Sequence, residues 1–159
     1  MTRMLATAAM ILALPALAQA APMEAREGWE VIETDQTFEE LNQSLETAIE
    51  QAGMGLVTSA SASAGAKAQD ITIPGNRVVG VFRNDYARRM LDASIAAGIE
   101  APIRFYLVED EDGTATLAFK RPTLVFEPYY AEGADDLRQL AVELDDVFMT
   151  IAAEAAAAR

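Results

Sequence analysis

Leu137, Leu140, Ala141, Leu144, Val147, Phe148, Ile151 and Ala152 recur at the three- and four-residue steps of an α-helix. A helix with so continuous an apolar stripe must bury it against a second layer. The stripe predicts a long C-terminal helix from about Asp135, with Asp135 and Asp136 where the helix dipole favours acids. Glu143, Asp145, Asp146 and Glu154 fall on its polar side, which reads as a solvated face.

The upstream chain supplies the covering layer. Residues 28–33 (GWEVIE) read as a short first strand, with Trp29 and Val31 on one side and Glu30 and Ile32 on the other. Thr37-Phe38-Glu39-Glu40 is a capping box that opens a helix. Phe38, Leu41, Leu45, Ala48, Ile49 and Ala52 lie on one face of that helix, and Gly53 ends it. Residues 54–58 read as a second strand, and the small, polar stretch 59–69 as an irregular loop with a helical turn. Residues 77–82 are β-branched and read as a buried strand. Residues 84–97 read as a helix stopped by Gly98, with Met90, Leu91, Ile95 and Ala96 as its inner stripe.

Ile103, Phe105 and Leu107 alternate with Arg104, Tyr106 and Val108, so Arg104 and Tyr106 share the face opposite the core. Asp112-Gly113 is a hairpin turn, and residues 114–120 return as the partner strand. Residues 121–134 read as a loop. The order predicts an α+β fold: a mainly antiparallel sheet, helices packed on one face, and a long C-terminal helix.

The N-terminus carries a compartment signal. Arg3 gives a positive start, residues 4–17 form a short apolar run broken by Pro15, and Ala18-Gln19-Ala20 is a small-x-small box. That pattern is a secretory signal peptide over residues 1–20, cut between Ala20 and Ala21, with a periplasmic or secreted product. The run is shorter than the ~20 apolar residues of a membrane-spanning helix, so no stable membrane insertion is expected after cleavage. Residues 21–36 then form an N-terminal segment with the first strand, and residues 37–156 a single domain.

Composition excludes much chemistry. Cysteine and histidine are both zero, which removes disulfides, thiolate nucleophiles, His-ligated haem, His-bearing zinc sites and Ser-His-Asp catalysis. Carboxylates, Lys, Tyr, Ser and Thr remain. With 12 Lys+Arg against 25 Asp+Glu the net charge is −13, and loss of Arg3 with the leader makes it more negative. Such a chain repels anionic membranes and excludes nucleic acid as its main partner.

Three segments carry a resemblance. The helix from Phe38 to Gly53 has the "glycine then strand" ending. Val79-Gly80-Val81-Phe82-Arg83-Asn84-Asp85 reads as a strand and signature turn, and residues 101–110 (APIRFYLVED) as a Pro-led strand with an acidic hairpin. Taken in order, they resemble the domain of unknown function 302 family, over about residues 37–153. The resemblance implies a β-α-β(4)-α type fold, similar to the TATA-binding-protein-like class, and no activity. Arg83 stands where that family usually has Gly, and Asp85 where it has Pro.

Candidate sites follow from charge. Seven basic residues fall between positions 77 and 121: Arg77, Arg83, Arg88, Arg89, Arg104, Lys120 and Arg121. Arg83, Asn84 and Arg88 surround a strand-to-helix turn, where backbone N–H groups favour anions and Arg adds bidentate recognition. The expected ligand contacts are Arg83, Asn84, Arg88 and Arg104, with Tyr106 as an apolar wall. No metal site or cofactor is expected: the acids of residues 109–112 are consecutive, which is wrong for an EF-hand and right for a hairpin tip. Phe126, Tyr129 and Tyr130 either pack their loop onto the core or stack on a ligand, and Lys67 reads as an exposed amine. The sequence thus predicts an exported, soluble, non-catalytic protein that binds a small ligand, an anion being the class its clustered arginines suit. The alternatives are a hydrolase or isomerase using carboxylate, Tyr or Lys chemistry, and a module that homodimerises through a sheet edge or helix face.

Overall fold

The computed structural model describes residues 23–158, so the leader and its cleavage site lie outside the described residues. Five strands form one antiparallel sheet: β1 (Trp29–Thr37), β2 (Gly55–Ala60), β3 (Asn76–Phe82), β4 (Ile103–Glu109) and β5 (Thr114–Lys120), in the spatial order β1-β5-β4-β3-β2. The helices are α1 (Phe38–Gln51), α2 (Ala62–Lys67), α3 (Asn84–Ala93), α4 (Pro122–Phe126) and α5 (Tyr130–Ala157). This is the expected α+β, β-α-β(4)-α architecture.

The capping box forms as read. The Thr37 hydroxyl accepts from the Glu40 N–H, and the Glu40 carboxylate accepts from the Thr37 N–H at 2.9 Å. Leu41, Leu45, Ala48 and Ile49 of α1 and Phe148, Ile151, Ala152 and Ala155 of α5 are buried on the sheet. Beneath them lie Val79, Val81, Phe105, Leu107, Leu117 and Phe119. Phe105 stacks on Phe148 at 4.6 Å between ring centres and meets Phe119 edge-on at 5.3 Å. Met90 of α3 packs on Leu137, Leu140, Ala141 and Leu144 of α5, so α1, α3 and α5 share one layer.

Several local expectations change. β1 runs on to Thr37, past the expected 28–33, because it pairs with β5 along its length through a bulge between Thr34 and Thr37. β2 extends to Ala60. The stretch read as an irregular loop with a helical turn carries that turn as α2, whose N-terminus Ser61 caps by accepting from the Ala64 N–H at 3.0 Å. The helix read over 84–97 stops at Ala93. Ser94 turns extended, donates its hydroxyl to Glu132 at 2.8 Å, and accepts from the Ala97 N–H. The chain then makes a 3-10 turn, Ala96–Glu100. Its predicted inner stripe therefore fails: Met90 is buried, while Leu91 is 45% and Ile95 83% exposed.

The stretch 121–134 is largely helical. It holds α4, a short 3-10 turn, and a first helical turn of α5 that breaks at Ala134 (φ 44°, ψ −136°). The long continuous helix thus begins at Asp135, as its stripe predicts. The polar side of α5 is not simply solvated. Asp145 accepts from the Thr123 N–H and hydroxyl at 2.9 and 2.7 Å, capping α4 from a distance, and Glu143 pairs with Arg89. No helix among the described residues is long and apolar enough to cross a membrane.

Candidate functional site

The five expected contact residues fall on two sides of the sheet. Arg83 is the residue before α3, and Asn84 and Arg88 are exposed within its first turns, all in the helical layer. Arg104 and Tyr106 alternate with core-facing Phe105 and Leu107, so they lie on the opposite face, as their spacing predicts. A five-strand sheet separates the two groups, and one shared concavity is excluded. Proximity in sequence pattern did not become proximity in space, because strand alternation turns Arg104 away from α3.

A cleft does open beside Arg83. Its floor is Val81 and Ile103 of the sheet; Tyr86 and Met90 of α3 wall one side, and Leu144 and Phe148 of α5 the other. The lining is almost entirely apolar. Its enclosed volume is about 30 Å³, room for roughly two waters when one needs ~10–15 Å³. Arg83 stands at the mouth with its side chain one-third exposed. Its guanidinium lies 3.9 Å from the Tyr86 ring centre, a close cation–π contact.

Arg83 is already partly engaged. Its Nε and Nη2 donate to the two carboxylate oxygens of Asp85 at 2.8 and 3.0 Å. That fork holds the Asp85 carboxyl below its ordinary value and raises the Arg83 pKa. Nη1 takes no part in the fork, so one edge of the guanidinium is left for a further acceptor. Arg89 stands 5.8 Å from the Tyr86 ring centre and forks onto Glu143 of α5. Tyr86 thus has two arginines within 6 Å of its ring centre. The sequence reading puts Met90 on the inner stripe of this helix but assigns neither Met90 nor Tyr86 to a site. The signal available was the four-residue spacing of Tyr86 and Met90, which puts both on one helical face.

The other candidates resolve as structure. Phe126 is buried, Tyr129 donates to Glu100 at 2.7 Å, and Tyr130 donates to the Thr123 carbonyl at 2.9 Å, so these aromatics hold the α4 segment on the core. The Glu100 contact raises the Tyr129 pKa, and burial raises that of Tyr130. At the hairpin tip Asp112 accepts from the Thr114 N–H and hydroxyl, which lowers its pKa. Lys67 is exposed.

Residues 30–154 match the family described as domain of unknown function DUF302. The fold is similar to a crystal structure of an uncharacterized conserved DUF302 protein from Bacillus stearothermophilus. The TM-score is 0.71 at 14% identity, covering 82% of this chain and 99% of that one. No curated protein matches the chain. At that identity the likeness speaks for the fold, and with a family match over most of the chain the conclusion is that this protein belongs to the DUF302 family.

Proposed function

We propose that the protein is exported and that it binds, without catalysis, a short amphiphilic anion in the cleft between α3 and the sheet. The apolar body enters between Met90 and Leu144, and the acidic head takes the free edge of Arg83. The observation that carries this reading is the pairing of an apolar cleft with a partly committed arginine at its mouth. Asn84 and Arg88, exposed beside the mouth, add hydrogen-bonding and positive charge to an otherwise acidic protein. Arg104 and Tyr106 play no part in this site. The cleft as it stands holds only about two waters, so entry of a ligand requires α3 to shift outward.

The test is a series of straight-chain carboxylates of increasing length, read by thermal shift and calorimetry. The melting temperature should rise with chain length by mass action and the rise should weaken with salt. Arg83→Gln should reduce the gain, and Ala87→Phe, which fills the cleft wall, should abolish it. No stabilisation by any length, or equal stabilisation in both variants, overturns the proposal. Export is checked separately: N-terminal sequencing of the periplasmic fraction should read Ala21, and an intact Met1 in the cytoplasm overturns it.

A further inference from the structure

The sheet face away from α1, α3 and α5 gathers positive charge that no acid neutralises. Trp29 pairs with Lys120, and Arg104 with Gly80. Phe105 pairs with Phe119, so one step further along the same antiparallel register Arg104 and Lys120 stand side by side. Directly opposed side chains on adjacent strands lie about 5 Å apart at Cβ, where like charges destabilise a sheet. Arg26, just before β1, adds a third cation. Its guanidinium lies 5.2 Å from the Trp29 ring centre, and the Lys120 ammonium 5.3 Å. Among the described residues Arg26, Arg104 and Lys120 make no ion pair, whereas Arg77, Arg83, Arg89 and Arg121 are each paired with an acid. Two rings bracket the adjacent cations. Trp29 stands at the β1 end, and at the β3 end a Cβ on Gly80 would lie 2.7 Å from the Pro102 ring. The two ends are three strand spacings, or about 14 Å, apart.

We propose that this row binds a small aryl phosphate: its dianionic head bridges Arg104 and Lys120, and its flat ring lies against the Trp29 indole. Two uncompensated cations side by side select an anion, and a dianion relieves the repulsion of both at once. Arg104 offers a planar fork of donors and Lys120 a compact charge, a combination that suits phosphate oxygens. The ring follows from Trp29, whose indole is the aromatic surface next to Lys120 in the row. The point midway between β4 and β5 is about 7 Å from β1, a gap that the ester oxygen and one ring fill. The patch is small on a chain of net charge −13, so a long polyanion is repelled by the acids around it while a single phosphate monoester is not. The proposal is independent of the cleft, which opens on the other side of the sheet.

Trp29 is the only tryptophan of the chain, so its fluorescence reads the site directly. Phenyl phosphate titrated at low salt should change the emission saturably, and its affinity should fall as sodium chloride is raised. Inorganic phosphate lacks the ring and benzyl alcohol lacks the charge, so calorimetry should find each bound at least about tenfold more weakly. Arg104→Gln and Lys120→Gln should each weaken phenyl phosphate about tenfold while circular dichroism is unchanged. Arg83→Gln, on the other side of the sheet, should respond as the wild type does. No saturable change at millimolar phenyl phosphate overturns the proposal. So does equal affinity for inorganic phosphate, or full affinity in the Arg104→Gln, Lys120→Gln double variant. Loss of the signal in Arg83→Gln also overturns it, by assigning the anion to the cleft.

Discussion

Arg89 and Glu143 form a forked ion pair between α3 and α5, with Nη1–Oε2 at 2.7 Å and Nη2–Oε1 at 2.9 Å. It ties together the two helices whose residues Tyr86 and Met90, and Leu144 and Phe148, wall the cleft. Both side chains are more than one-third exposed, so the pair contributes by holding geometry more than by raw Coulomb energy.

The pair makes stability depend on acid. The Arg89 hydrogen bond holds Glu143 below its ordinary value of 4.5. A carboxyl with a depressed folded-state pKa contributes stability that is present above its unfolded value and lost as pH falls through the folded one. Melting temperature should therefore drop on acidification below about 4.5, and Glu143→Gln should drop less steeply there. Parallel curves for the two proteins would show that the fork contributes nothing.

Opening the clamp should favour ligand. If α3 must move outward for entry, Arg89→Ala lowers the cost of the open form and raises apparent affinity for a medium-chain carboxylate. Calorimetry on Arg89→Ala should show tighter binding than wild type, despite a slightly lower melting temperature. Unchanged affinity would mean that α3 does not gate the cleft.

Phe148 anchors the two layers. It is fully buried and stacks on Phe105, so Phe148→Ala should cost about 3–5 kcal/mol. Exposed Asp146, two residues earlier, should change stability by less than ~0.5 kcal/mol when replaced by Ala. Urea unfolding compares them, and equal effects would mean that α5 does not carry the core.

Thr37 sets the start of α1. Thr37→Ala removes the hydroxyl that accepts from the Glu40 N–H, at a cost of about 1 kcal/mol. Thr37→Ser keeps that oxygen and should retain most of the stability, as urea midpoints will show. A loss as large for Ser as for Ala would assign the effect to the Thr methyl group.

Local patterning by itself determined a great deal. Period-two alternation placed β4 and β5 to the residue, the capping box placed the start of α1, and the apolar stripe placed the continuous part of α5 from Asp135. These signals are short-range and repeat along one element, so each can be read without knowing what lies across from it. The tertiary structure decided where elements end and which faces meet. α3 stops at Ala93 because Ser94 bonds Glu132, a residue 38 positions away. α4 forms where a loop was expected because Asp145, on another helix, caps it. The grouping of Arg83 with Arg104 failed for the same reason. Alternation says that Arg104 faces away from Phe105, but only the packed layers say on which side of the sheet α3 lies. Tyr86 and Met90 become a cleft wall only when α5 brings Leu144 and Phe148 opposite them, a long-range contact that no spacing within α3 encodes.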